Sequence, residues 1–156
     1  MPPRQFMPRL NLLLLATIAK VVVRPTLLGV SAIAENEQGR VLLVRHSYTP
    51  GWTLPGGGVD HGEPPEAAMI RELREEVGLS RHEAPELFGF YTRKVAWFSN
   101  VIAVYRLRNV RIAFRPSLEI REAMFCDPSA PPPDVQPGTA RRLAELTGQM
   151  PPSSYW

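Results

Sequence analysis

The chain has 156 residues, of which 44% are apolar, 21% charged and 8% aromatic, with one cysteine and a net charge of +3. That length holds one ordinary domain. The composition excludes a wholly disordered chain, a fibrous repeat and a disulfide-built mini-protein. Residues 1–24 carry Arg4, Arg9, Lys20 and Arg24 and no acid, so removing these four from 18 bases leaves 14 against 15 acids. The body of the protein is near neutral, and no basic surface for duplex nucleic acid is expected.

Residues 1–25 read as a basic, apolar segment outside the main domain. Residues 10–23 form a short apolar run that resembles a signal peptide, although Lys20 interrupts it and it is short for a membrane span. Three readings stand: a helix packed on the domain or a partner, a helix lying on a membrane surface, and a targeting segment. The second gives residues 1–24 a weak association with membranes. Pro25 ends the segment. Residues 26–150 are expected to form the domain, and residues 151–156 a loose tail in which Trp156 is able to dock.

Strand-like patterns follow at Leu28–Ala34 and Val41–Arg45, joined by the polar turn Asn36-Glu37-Gln38-Gly39. The glycines at 56–58 permit backbone paths that residues with side chains resist. A helix is predicted over Glu66–Glu76, with Pro64 and Pro65 before it and Gly78 as its stop. Further strands are predicted at Leu87–Tyr91, Val101–Leu107 and Ile120–Phe125. Asp127 to Pro137 contains five prolines and reads as an irregular linker. Thr139–Thr147 reads as a closing helix with Leu143 and Leu146 on one side. Cys126 lies in the run Ala123-Met124-Phe125-Cys126 and reads as a small buried hydrophobe, which fits a reducing, cytoplasmic setting. Strands flanking a helix, with a second helix at the end, indicate a mixed α/β layer structure.

On the predicted central helix, Ile70, Leu73 and Val77 fall on one face, while Glu72, Glu75 and Glu76 fall nearly opposite. Taken alone, such an acidic face is most simply a solvated one, balanced by Arg71 and Arg74. The glycine-rich loop before the helix favours another use, because it returns through Val59-Asp60-His61-Gly62-Glu63 and brings a backbone carbonyl beside the carboxylates. Oxygen donors in such a cluster suit hard divalent cations, above all Mg²⁺, and Mg²⁺ suits phosphate oxygens. Cys126 stands alone and His46, His61 and His82 show no ligand-like spacing, so soft-metal chemistry is unsupported.

Gly57, Glu63 and the run Arg71-Glu72-Leu73-Arg74-Glu75-Glu76-Val77-Gly78-Leu79 match the Nudix box at its nine defined places across 23 residues. Val41–Arg45 resembles the strand before the box, Gly51–Gly57 its approach, and Ile120–Pro128 a later strand and loop. The chain therefore resembles small bacterial Nudix hydrolases over about residues 26–148. The resemblance implies an α/β/α sandwich around a mixed sheet. It also implies Mg²⁺- or Mn²⁺-dependent hydrolysis of a nucleoside diphosphate linked to a further group, a nucleoside triphosphate included.

Carried onto this chain, Glu72, Glu75 and Glu76 would bind the metal, with the Gly56 carbonyl as a further ligand. Arg71 would orient the glutamates, Glu63 would support the loop or a second metal, and Gly57 and Gly78 would serve backbone geometry. The general base varies within the family. Outside the box, Glu122 is the preferred candidate, with Glu119 behind it. Period-two alternation groups Glu122 with Ile120 and Met124, and Glu119 with Arg121 and Ala123. Arg93, Lys94 and Trp97 are candidate substrate contacts. Lys94 and Val95 stand where ADP-ribose-specific relatives often carry proline, and Trp97 and Phe98 where those acting on dinucleoside polyphosphates often carry tyrosine. No coenzyme A signature precedes the box. The second functional reading is a Nudix-fold protein that binds a nucleotide or a partner without hydrolysing it, and a homodimer is left open.

Overall fold

A computed structural model describes residues 26–96 and 98–156. The expectations for residues 1–25 and for Trp97 lie outside the described residues. In chain order the elements are β1 (Thr26–Ala34), β2 (Val41–His46), α1 (Pro65–Val77), β3 (Leu79–Arg81), β4 (Glu86–Val95), β5 (Phe98–Leu107), β6 (Arg111–Ile112), β7 (Ile120–Cys126) and α2 (Pro137–Leu146).

β1 runs parallel to β5, and β4 runs antiparallel on the other side of β5. β2 pairs antiparallel with β7, and β3 with β6. The Asn36–Gly39 turn forms as expected: Asn36 Oδ1 accepts hydrogen bonds from the backbone N–H groups of Gln38 and Arg40, and Gly39 takes a positive φ of 70°.

Side-chain alternation separates two cores across the strands. Val30, Ala32, Ala34, Leu42, Val44, Ala103 and Leu107 pack with Ala68, Met69, Leu73 and Val77 of α1. Ile33, Val41, Leu43, Ile102 and Val104 pack with Leu143 of α2. The result is the expected α/β/α sandwich around a mixed sheet. Cys126 is buried in the second core, and burial pushes its thiol pKa up. Among the described residues, no helix is long and apolar enough to cross a membrane.

Several element boundaries differ from the sequence reading. β4 extends to Val95, so Arg93 and Lys94 belong to a strand, and β5 begins at Phe98. The short strands β3 and β6 were not predicted. On α1, Ile70 is only partly buried, whereas Glu76 is 6% exposed. On the helical wheel Glu76 lies about 20° from Met69, so it borders the apolar stripe rather than opposing it.

Residues 151–156 are ordered against the domain. Thr92 N–H donates to Ser154 O at 2.8 Å and Trp156 N–H donates to Thr92 O at 3.1 Å, so the segment adds a short bridge along the free edge of β4. The physical reason is buried in α2. Arg142 and Glu145 form a 2.7 Å ion pair with side chains 0% and 1% exposed. Arg142 donates to Tyr155 O at 3.0 Å, and Glu145 accepts from Ser153 N–H at 3.0 Å and from the Tyr91 hydroxyl at 3.0 Å.

Candidate active site

The approach to the box lies along the edge of β1. Ala32 N–H donates to Pro55 O, Val30 N–H to Gly57 O and Val59 N–H to Leu28 O. This close backbone packing requires glycine at position 56, where φ is +147° and a Cβ would lie 2.7 Å from Ser31 Cα. The loop then meets α1, which begins at Pro65 and stops at Gly78. Gly78 takes φ 66°, and its N–H caps the carbonyls of Leu73 and Arg74.

Arg71 links the loop to the helix. Its Nε donates to Glu63 Oε1 at 2.9 Å and its Nη2 to Glu63 Oε2 at 2.9 Å, a two-pronged pairing with one carboxylate. Nη1 donates to Glu72 Oε1 at 2.9 Å and reaches Glu75 Oε2 at 3.5 Å, while Nη2 also donates to Gly58 O at 3.1 Å. The Arg71 hydrogen bonds lower the Glu63 pKa, and those same carboxylates raise that of Arg71.

Glu76 differs from its neighbours. It accepts one hydrogen bond from Gly56 N–H at 3.0 Å, and no salt bridge reaches it among the described residues. Burial, opposed by that hydrogen bond and reinforced by the charges of Glu72, Glu119 and Glu75, pushes its pKa up to about 8. Glu72 is mostly buried and presses on the loop, whereas Glu75 is largely exposed. A Cβ at position 57 would lie 2.5 Å from Glu72 Oε1. Gly57→Ala should therefore displace the Glu72 carboxylate from its pairing with Arg71 rather than shift backbone. Stability should change by less than about 1 kcal/mol, while kcat falls at least about tenfold, measured by urea unfolding beside steady-state kinetics.

Of the two candidates outside the helix, Glu119 is the one that lies near Glu76, and Glu122 is placed elsewhere. Ligating atoms of His46, Glu76 and Glu119 all lie within 4.8 Å of one another. Glu122 pairs instead with Arg45, at 3.8 Å. In the β2–β7 ladder Arg45 is opposite Glu122, and the register then shifts so that His46 is opposite Ile120. Strict alternation fails there, so Ile120 packs on the α1 side while Met124 packs on the α2 side. The same fold gives His46 partners that its sequence spacing did not reveal. Burial lowers the His46 pKa, opposed by Glu119, and Tyr48 donates to Glu119 Oε1 at 3.2 Å.

Beside the glycine loop lies an open cavity of about 640 Å³, whose wall includes Gly56–Gly58, His46, Arg93, Asn100 and Trp156. Arg93 thus keeps its place as a candidate contact. Lys94 is exposed and is not part of this wall. Two box glutamates touch the same loop, Glu76 through Gly56 N–H and Glu72 against Gly57. The cavity and the carboxylates therefore share one strip of backbone.

A family model of the NUDIX domain matches residues 25–146, and the chain belongs to that family. Among solved structures it is similar to a MutT NUDIX hydrolase from Burkholderia pseudomallei, with a TM-score of 0.70 and 25% identity, covering 79% of this chain and 99% of that one. The fold also resembles the Escherichia coli dihydroneopterin triphosphate pyrophosphohydrolase, with a TM-score of 0.63 and 15% identity over 79% and 96% of the two chains. Among curated proteins, the RNA pyrophosphohydrolase of Proteus mirabilis is 50% identical over 55 residues, which is 35% of this chain and 31% of the relative. That of Methylococcus capsulatus is 48% identical over 54 residues, 35% and 28% of the two chains. The match spans about a third of the length of these curated relatives.

Proposed function

We propose that the chain is a divalent-cation-dependent pyrophosphohydrolase that cleaves the diphosphate linkage of a nucleotide, with nucleoside triphosphates and nucleoside diphosphate derivatives as its substrate class. The observation that carries this reading is the gathering of Glu72, Glu75 and Glu119 about Glu76, beside a glycine loop that also walls a nucleotide-sized cavity. The names of the curated relatives and of the solved structures support phosphoric-anhydride substrates. The name RNA pyrophosphohydrolase, carried by the curated relatives, makes RNA one of the substrates to be tested.

The donor set fits Mg²⁺ or Mn²⁺. The carboxylates and the Gly56 carbonyl are hard oxygens, and Glu76 is a buried carboxylate that has no salt bridge among the described residues and sits among like charges. Glu72, Glu75 and Glu76 would hold the ion, with the Gly56 carbonyl available as a further oxygen. When bound, the ion supplies positive charge against the diphosphate and makes water more acidic.

The chain's own residues do the rest. Arg71 fixes Glu72 and ties it through Glu63 to the loop, so the carboxylates keep their positions without substrate. Glu119 accepts a proton as a water oxygen bonds to phosphorus. The P–O–P bridge then breaks, and the bridging oxygen leaves with the bonding electron pair on the departing phosphate. Arg93 meets negative charge at the cavity wall. Glu119→Gln should lower kcat at least about tenfold, whereas Glu122→Gln should leave it within about twofold, which separates the two carboxylates directly.

The test of the reading is a screen with the full chain, with and without Mg²⁺, that measures phosphate and pyrophosphate release. It should cover nucleoside triphosphates, nucleotide sugars, ADP-ribose, dinucleoside polyphosphates and a 5′-triphosphorylated RNA oligomer. Mg²⁺-dependent release from at least one is expected. Nucleotide binding without turnover across the panel would contradict hydrolysis.

A further inference from the structure

Three residues that line the large cavity carry buried polar atoms with no hydrogen-bond partner among the described residues. These atoms are Thr53 Oγ1, Asn100 Oδ1 and His46 Nδ1. Buried polar atoms are normally satisfied, so three in one cavity mark a place where a ligand's polar edge belongs. Asn100 lies on the central strand β5, with Leu27 of β1 on one side and Arg93 of β4 on the other. Its amide presents an acceptor and a donor together, the pattern that matches the edge of a nucleobase.

The aromatic part of the wall comes from an unexpected place. Trp156 reaches the cavity because residues 153–156 are pinned by Arg142 and Glu145. Arg141 also donates to the Trp156 carbonyl. The indole meets Tyr91 edge-on, with centroids 6.2 Å apart and planes at 72°. It also rests on Gly138 of α2, where a Cβ would lie 2.6 Å from Trp156 Cδ1. Only a residue without a side chain lets the ring lie so close to the helix. Tyr91, Gly138 and the Arg142 guanidinium, 5.6 Å from the ring centroid, hold the indole, and Trp156 lines the cavity.

We propose that Trp156 and Asn100 form the nucleobase subsite of this enzyme, with Trp156 as the stacking surface and Asn100 reading the polar edge. This rests on the reading of the chain as a nucleotide pyrophosphohydrolase, and it names residues outside the box as determinants of base preference. Arg142 and Glu145 act as positioning residues, because they hold the segment that carries the indole. A flat ring with donors and acceptors on its rim fits both features, whereas a bare polyphosphate uses neither.

The test is calorimetric binding to the full chain with Mg²⁺. The probes are the α,β-methylene triphosphates of adenosine, guanosine, cytidine and uridine, with methylenediphosphonate as the base-free control. At least one nucleotide should bind. Trp156→Ala should weaken the tightest by at least about tenfold and Trp156→Phe by no more than about threefold, since stacking survives in the second. Asn100→Ala should flatten the preference among the four bases. All variants should bind methylenediphosphonate within about twofold of the unaltered protein. Should Trp156→Ala fail to fold, Trp156→Phe and Asn100→Ala carry the test.

Unchanged nucleotide binding in Trp156→Ala and Asn100→Ala would overturn the proposal. So would an equal loss for nucleotide and diphosphonate, which would make the indole purely structural. Diphosphonate binding with no nucleotide binding would overturn the base subsite and leave the diphosphate reading standing. Failure of both probes to bind would remove that reading as well.

Discussion

Glu76→Gln lowers kcat by at least about 100-fold at saturating Mg²⁺, equivalent to about 2.7 kcal/mol of transition-state stabilisation. The change keeps the shape of the side chain and an oxygen to accept from Gly56 N–H, but removes the charge that a cation would need. Glu66→Gln, an exposed position in the first turn of α1, is the matched control and should behave as the unaltered protein. A solvated acidic face would show no kinetic loss at Glu76. The same variant has a stability signature. With its pKa raised to about 8 from an ordinary 4.5, Glu76 keeps its proton in the folded state to higher pH than in the unfolded chain. The folded state therefore binds more protons between these values, and cation-free stability falls as pH rises through that window. Glu76→Gln should remove that part of the slope, and Mg²⁺ should offset it in the unaltered protein. Urea unfolding at about pH 5 and pH 8, with and without Mg²⁺, measures both effects.

The largest loss of stability is expected at Arg142→Ala. Its guanidinium is completely buried, stacks on Tyr91 with its carbon 3.6 Å from the ring centroid, and pairs with Glu145. Removing it leaves the Glu145 charge buried and frees the Tyr155 carbonyl. Such one-sided breaks cost about 3–5 kcal/mol. For a domain of this size that is a fall in Tm of roughly 10 °C. Glu145→Gln keeps hydrogen-bonding capacity and should cost less. Thermal unfolding of both variants checks the order. A change below about 1 kcal/mol for Arg142→Ala would mean that the pair does not hold residues 151–156 in place.

The central part of this site was legible because its signals are local. Glycines at 56–58, a proline-capped helix and glutamates spaced on one helix dictate loop, turn and carboxylate cluster over a short stretch. Arg71 could be placed from the same run, and it pairs with Glu63, Glu72 and Glu75. What was not legible depends on contacts across the fold. Alternation along Ile120–Phe125 left open whether Glu119 or Glu122 meets the helix carboxylates, and only the packed fold places Glu119 near Glu76 and Glu122 beside Arg45. Glu76 was placed on an open face, although its wheel position beside Met69 already made partial burial the better expectation. β3 and β6, with three and two residues, are too short to leave a periodic pattern. The tail read as loose because Pro151, Pro152, Ser153 and Ser154 carry no packing signal. Its anchor is a charged pair in α2, at positions where helical patterning expects apolar residues.

The most direct measurement is hydrolysis of the best nucleotide substrate in ¹⁸O-labelled water, with mass analysis of the products. Water attack at phosphorus predicts one labelled oxygen per turnover, carried by a phosphoryl product, with Mg²⁺ required and turnover at least about 100-fold slower in Glu76→Gln. Label in a non-phosphoryl fragment, turnover unaffected by removal of divalent cations, or full activity in Glu76→Gln would contradict the account.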